Sequence, residues 1–172
     1  MQRNLLISAL VAGAIAHGAQ AVEHMDATAI MFDAEGNSLG MVSFREGENG
    51  VLITAELEGL PPGWHSFHLH ETGSCLPDFS AAGGHFAPLG NEHGLLNAAG
   101  PHAGDMPNLH VAEDGRGMAE YFTDRVTLVP GAQTNLLDAD GGAVVIHANP
   151  DSYGAEAGSG GRLACGVIEL SG

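Results

Sequence analysis

Apolar and polar residues alternate along most of the chain, a pattern typical of β-strands with one buried face. In one such segment, Val51, Ile53, Ala55 and Leu57 all fall on the same side. The pattern predicts eight strands, at residues 24–32, 39–46, 51–58, 64–71, 109–112, 118–123, 143–148 and 163–170. Turn residues separate them and no long helical period occurs, so we expect an all-β antiparallel sandwich or barrel.

Two long segments interrupt this rhythm. Residues 72–108 are rich in Gly, Pro, Ala and His, and residues 149–162 are rich in Gly. Loops of this length without regular structure are uncommon in compact domains unless they are functional. We therefore expect both loops to carry function. The sequence shows no internal repeat and no second domain.

The first residues have the features of a secretory signal peptide. Arg3 precedes an apolar stretch at 5–16 that is too short to span a bilayer, and Ala19-Gln-Ala21 has the small-x-small cleavage pattern. We predict cleavage after Ala21; cleavage after Gly18 and a core helix starting at residue 5 are the alternatives. Residues 1–21 would then be the signal, and residues 22–172 the single domain of a periplasmic protein.

The chain is strongly acidic. Its 172 residues include 21 acidic and 5 basic side chains, a formal charge of −16, and there is no lysine. Without residues 1–21, 21 acids against four arginines give −17. Such a surface repels polyanions, so we expect neither nucleic acid nor, once the signal is removed, an anionic membrane as a partner.

Cys75 and Cys165 are the only cysteines in the sequence. In an exported protein an even pair most simply forms a disulfide. The alternative, two thiolate metal ligands, is disfavoured because no C-x-x-C spacing occurs and enough nitrogen and oxygen ligands lie nearby. We therefore predict a disulfide that ties the start of the first loop to the last strand.

Several side chains of the kind that binds metals occur at ordered positions. His68 and His70 occupy positions i and i+2 of a predicted strand, so both point to one face and can meet one ion. The others lie in the long loop and at the end of a later strand: His85, His93, His102, Asp105 and His147. This is more than one ion needs, so the pattern indicates two metals, and imidazole suits copper and zinc.

Six motifs together resemble one family. They are GWHSFHLHE at 63–71, GHFAP at 84–88, EHG at 92–94, GPHAGD at 100–105, VVIH at 144–147 and GRLACGVI at 161–168. In this order, and with the two cysteines, they resemble exported bacterial copper–zinc superoxide dismutases over essentially all of residues 22–172. The resemblance implies a flattened, eight-stranded antiparallel Greek-key β-barrel. Its long first loop would bind metal, and its shorter second loop would form the substrate channel.

The resemblance also implies roles for individual residues. The copper ligands would be His68, His70, His85 and His147, and the zinc ligands His85, His93, His102 and Asp105. His85 would bridge the metals as an imidazolate, because two flanking cations favour loss of its proton. Asp151 would link a copper-side and a zinc-side histidine, unless it is an ordinary loop aspartate. Arg162 would lie beside the open copper position, unless it is an ordinary surface arginine.

The function implied is dismutation of superoxide to oxygen and hydrogen peroxide, with one redox-active copper and one structural zinc per subunit. The alternative is a non-catalytic copper or zinc binding or storage protein on the same barrel, since fold alone does not determine function. A metal-dependent hydrolase is disfavoured because no carboxylate base is evident beside the metals. The family includes monomers and dimers, so a homodimer and a copper-donor protein both stay open as partners.

Three further histidines lie outside the predicted signal peptide. We expect His65 and His110 to be structural. After cleavage at Ala21 the chain would begin Val22-Glu23-His24, and a free amine with histidine at position three can bind Cu(II) through four nitrogens in a plane. His24 is therefore either the start of the first strand or a copper-collecting site.

The anionic substrate conflicts with the negative charge of the chain. Many relatives steer superoxide with a ring of lysines. This chain has no lysine, so such a ring must be absent or made of arginine. Besides Arg162, the mature sequence contains only Arg45, Arg116 and Arg125.

Overall fold

The computed structural model describes residues 25–171, so the predicted signal segment and His24 lie outside the described residues. The strands are β1 Asp26–Asp33, β2 Ser38–Gly47, β3 Gly50–Leu57, β4 Gly63–His65, β5 Phe67–His70, β6 Leu109–Val111, β7 Gly117–Thr123, β8 Ala143–His147, β9 Arg162–Val167 and β10 Glu169–Leu170. In the described part of the chain one 3₁₀ turn, Phe79–Ala82, is the only helical element. It follows that no described helix is long and apolar enough to cross a membrane.

All eight predicted strands are present, and two of them are divided. The predicted strand 64–71 is interrupted at Ser66, whose N–H and hydroxyl both donate to the carbonyl of Asn149, at 2.9 and 2.7 Å. The last predicted strand is interrupted at Ile168, whose N–H donates to Gly142 at 2.9 Å. Each interruption lets one segment change its pairing partner: β4 pairs with β6, whereas β5 pairs with β8.

The strands form one antiparallel sheet in the order β4-β6-β7-β3-β2-β1-β9-β8-β5, with β10 added beside β1. β4 and β5 end this order but are consecutive in sequence, so the sheet curls into a nearly closed barrel. β3 neighbours β7, and β1 neighbours β9. Neither pair is consecutive in the chain, and such pairing of strands joined by long connections is typical of a Greek key. The predicted all-β barrel is therefore confirmed.

The alternation of side chains on β5 determines where the site can form. All four residues of β5 are buried. Phe67 and Leu69 belong to the apolar core inside the barrel. Since successive side chains of a strand point to opposite faces, His68 and His70 point out of the barrel and are buried beneath the two loops.

Candidate metal centre

One cluster of four histidines lies on β5, β8 and the first loop. His68 and His70 come from β5, and His147 ends the neighbouring strand β8. His85 joins them because its backbone pairs with that of His70. One ring nitrogen from each residue lies within 4.8 Å of the others, which is the spacing of donors around a single ion.

A second cluster shares His85 with the first. His85, His93, His102 and Asp105 also offer ligand atoms within 4.8 Å of one another. The Nδ1 atoms of the three histidines converge on the Asp105 carboxylate, at 2.9, 3.1 and 3.3 Å respectively. His85 therefore stands between two potential metal positions.

Asp151 connects the two clusters from behind. Its Oδ2 accepts from Nε2 of His68 at 2.6 Å and lies 3.1 Å from Nε2 of His93. The carboxylate is held in turn by the Tyr153 N–H at 2.6 Å, while the Asp151 N–H donates to Asn108 Oδ1 at 2.7 Å. With Nε2 engaged in this way, Nδ1 of both His68 and His93 is left to face a metal.

The unpaired nitrogens of the site fit metal binding. His68 Nδ1, His70 Nε2, His93 Nδ1 and both ring nitrogens of His147 are buried without a hydrogen-bond partner. Buried polar atoms are normally paired, so a group of orphaned lone pairs pointing together requires an explanation. Copper and zinc ions supply one, because both accept neutral imidazole nitrogen.

Burial and neighbouring groups keep three residues of the two clusters in the form that binds a metal. Burial, followed by the neighbouring His85, lowers the pKa of His70 to about 2. Burial and His68 lower the pKa of His147 to about 3. Burial by itself would raise the pKa of Asp105, but hydrogen bonds from His85 and Gly94 outweigh it and hold that pKa below its ordinary value. The imidazoles of His70 and His147 are thus neutral, and the Asp105 carboxylate is ionised.

Arg162 begins β9, directly opposite His147 in the sheet. Its guanidinium donates to the carbonyl of Phe79 and, at 2.6 Å, to that of Gly83. The Gly83 carbonyl also accepts from Nδ1 of His70 at 3.1 Å. The Gly83 carbonyl oxygen therefore bonds both Arg162 and His70, and the positive charge of Arg162 is held beside the first cluster.

The predicted disulfide is confirmed: Cys75 and Cys165 are bonded across a sequence separation of 90 residues. Cys165 is fully buried on β9, three residues beyond Arg162. The bond ties the segment that carries the Phe79 and Gly83 carbonyls to the strand that carries the arginine. Donor and acceptors are therefore braced by one covalent link.

Two other histidines of the described residues, His65 and His110, join neither cluster. The ring nitrogens of His65 lie 2.8 Å from the carbonyls of His147 and Pro61, which agrees with the structural role expected for it. His110 is exposed on β6, with its ring centroid 4.7 Å from that of Trp64. Neither residue therefore adds a ligand atom to the two clusters.

The contacts of the other three arginines of the described residues lie outside the first cluster. Arg45 lies 3.8 Å from Asp26 on the exposed side of the sheet. Arg116 lines an open cavity beside Glu58. Arg125 donates to the backbone carbonyl of Asp105 at 2.7 Å. Among these four cations, Arg162 is the one whose charge acts on His70 and His147.

Comparison with known proteins agrees with this site. Residues 38–168 match the family model for copper/zinc superoxide dismutase. A superoxide dismutase [Cu-Zn] from Caulobacter vibrioides is 45% identical over 148 residues, covering 83% of this chain and 85% of the relative. A double mutant of a SOD-like protein from Bacillus subtilis superposes with a TM-score of 0.78 at 40% identity, covering 81% of this chain and 95% of that one.

A further solved structure, the Cu/Zn superoxide dismutase from Brucella abortus, superposes with a TM-score of 0.68 at 29% identity. The match covers 84% of this chain and 99% of the Brucella chain. Sequence, fold and paired ligand clusters thus point the same way. The chain belongs to the copper/zinc superoxide dismutase family, whose metals are copper and zinc.

Proposed function

We propose that the protein converts superoxide to oxygen and hydrogen peroxide. The observation that carries the proposal is the pair of ligand clusters sharing His85, with the Arg162 guanidinium and His70 on the same Gly83 carbonyl. Copper, when bound, supplies the chemistry by alternating between two oxidation states, which zinc cannot do. The residues supply substrate binding, proton handling and a fixed geometry.

We assign one copper and one zinc to each subunit by the chemistry of the donors. The four-imidazole set His68, His70, His85 and His147 suits copper. The set with a carboxylate, His85, His93, His102 and Asp105, suits tetrahedral zinc. Since Nδ1 of His85 faces Asp105, its Nε2 faces the copper set and is the atom at which a proton can be held and delivered to product.

Arg162 and Asp151 have separate roles in the proposal. Arg162 is a permanent cation anchored by Phe79 and Gly83, and it binds the anionic substrate by a charge-assisted hydrogen bond. Asp151 accepts from Nε2 of His68 and His93, which keeps the proton on Nε2 and the Nδ1 lone pair available. Asp151 therefore acts as a positioning residue for both metal sites.

The direct test is the decay of superoxide after pulse radiolysis, with copper- and zinc-loaded protein. We expect a second-order rate constant near the diffusional ceiling, on the order of 10⁸–10⁹ M⁻¹s⁻¹. Metal content is measured on the same sample. No acceleration over buffer with both metals bound would contradict the proposal and favour the binding or storage alternative.

The same measurement as a function of ionic strength tests how substrate is attracted. The mature chain carries a formal charge near −17 and no lysine, and its other described arginines are engaged away from the first cluster. Salt screens the global repulsion as well as the attraction to Arg162. We therefore expect the rate constant to fall little, or to rise, with salt; a steep fall would contradict this expectation.

We further propose that residues 1–21 are removed and that residues 22–172 function in the periplasm, with His24 in a copper-collecting site. Mature protein should begin at Val22 by N-terminal sequencing. Titration with Cu(II) should then reveal one tight site beyond the barrel metals, lost in His24→Ala and kept in the control His110→Ala. A different N-terminus, or a titration of His24→Ala identical to that of wild type, would count against it.

A further inference from the structure

Asp105 is contacted from two directions. Its carboxylate Oδ2 accepts from the N–H groups of Gly94 and His102 at 2.9 and 3.0 Å, and these donors belong to the same loop. Its backbone carbonyl instead accepts from Arg125 at 2.7 Å, and this donor follows β7 of the barrel. The arginine is thus a direct link between the barrel and the proposed zinc-binding residue.

The backbone of Arg125 is held in place by its neighbours. Its backbone N–H donates to Oγ1 of Thr123, a buried residue at the end of β7, at 3.2 Å. Just beyond it, the Glu46 carboxylate on β2 accepts from Thr127 Oγ1 at 3.0 Å and from the Leu128 N–H at 2.6 Å. The guanidinium therefore extends from a segment fixed to two strands.

The arginine also leaves one donor unsatisfied. Its Nε is buried with no hydrogen-bond partner, although the opposite end of the same guanidinium bonds Asp105. A buried donor without a partner is destabilising, because it loses its hydrogen bonds to water and gains none in the folded protein. The side chain therefore adopts a position that bonds the Asp105 carbonyl but leaves its own Nε–H without a partner.

We propose that Arg125 is a positioning residue for the zinc site. By holding the Asp105 peptide, it orients the carboxylate before the metal binds. Less conformational entropy is then lost when zinc binds. This inference rests on the proposed zinc ligands. It predicts that removal of Arg125 weakens zinc binding. Charge alone would predict the opposite, because a nearby cation repels Zn²⁺ and its removal would strengthen binding.

The test is zinc affinity of the metal-free mature protein, measured by competition with a chromophoric chelator. In Arg125→Leu we expect zinc to bind about 10- to 100-fold more weakly, the range for loss of an outer contact to a metal ligand. Arg125→Lys, which keeps the charge, should be intermediate. Cobalt(II) in the same site should show an altered visible spectrum, while copper affinity should change less than about twofold. Arg45→Leu, an exposed arginine near Asp26, is the matched control.

The outcomes separate the two claims. Unchanged or tighter zinc binding in Arg125→Leu, with normal binding by wild type, would overturn the role of Arg125 and leave the proposed function intact. A wild-type protein without a tight zinc site would overturn the proposed zinc ligands and this inference with them, whereas the decay of superoxide tests the proposed function separately. If Arg125→Leu does not fold by circular dichroism, Arg125→Lys decides: wild-type zinc affinity and cobalt spectrum there would overturn the proposal.

Discussion

Removal of the Cys75–Cys165 disulfide is expected to lower the free energy of unfolding by about 4–5 kcal/mol. The bond spans 90 residues, and a cross-link over so long a loop removes much of the conformational freedom of the unfolded chain. That loss is a large part of the roughly 5–15 kcal/mol that stabilises a typical domain. Urea unfolding of the metal-free Cys75→Ala/Cys165→Ala variant, against wild type, measures the difference without a contribution from bound metal.

Ser74→Ala is the matched control, because it changes the neighbouring residue and leaves the cross-link in place. We expect it to unfold within about 0.5 kcal/mol of wild type, as surface substitutions usually do. A loss below about 1 kcal/mol in the double variant would mean that the bond constrains the unfolded chain far less than its span implies.

Replacement of Arg162 by methionine is expected to lower the second-order rate constant by roughly 10- to 100-fold while both metals stay bound. A hydrogen bond to a charged group contributes about 1.5–3 kcal/mol, and each 1.4 kcal/mol is a factor of ten in rate. The side chain bonds two loop carbonyls and lies outside both ligand clusters, so metal binding should survive. Pulse radiolysis together with metal analysis gives both quantities.

Two controls isolate the role of this cation. Arg162→Lys keeps a positive charge and should retain more of the rate than Arg162→Met, because the attraction persists while the paired geometry is lost. Arg45→Met removes an equal charge from a distant, exposed position and should leave the rate constant nearly unchanged. Equal losses in Arg162→Met and Arg45→Met would show that only net charge matters and would contradict substrate binding by Arg162.

The alternation of residues was sufficient to predict the strands of the barrel. Each strand buries one face, and this leaves a period of two that can be read along the chain without knowledge of any partner strand. The same rule placed His68 and His70 on one face of β5, away from Phe67 and Leu69 in the core. The cysteine pair was equally direct, since a chain with two cysteines has one possible internal disulfide.

The alternation of residues did not predict where a strand ends and the next segment pairs with a different strand. The breaks at Ser66 and Ile168 arise from hydrogen bonds to Asn149 and Gly142, which are distant in sequence. The strand order of the Greek key likewise depends on long-range pairing, such as β3 with β7. A local pattern carries no information about such pairs, and the resemblance to a known family supplied the architecture instead.

The supporting contacts of the site depend most on the tertiary structure. Asn108 and Tyr153 hold Asp151, and Arg125 holds Asp105, yet none of these three stands out in the sequence as a metal-site residue. The Tyr153 bond is local, but the Asn108 and Arg125 bonds join loops and strands that only folding brings together. Residue types and spacing therefore indicate which side chains can bind metal. The long-range hydrogen bonds establish how those side chains are oriented, because a bond across 20 or 43 residues exists only after the barrel has formed.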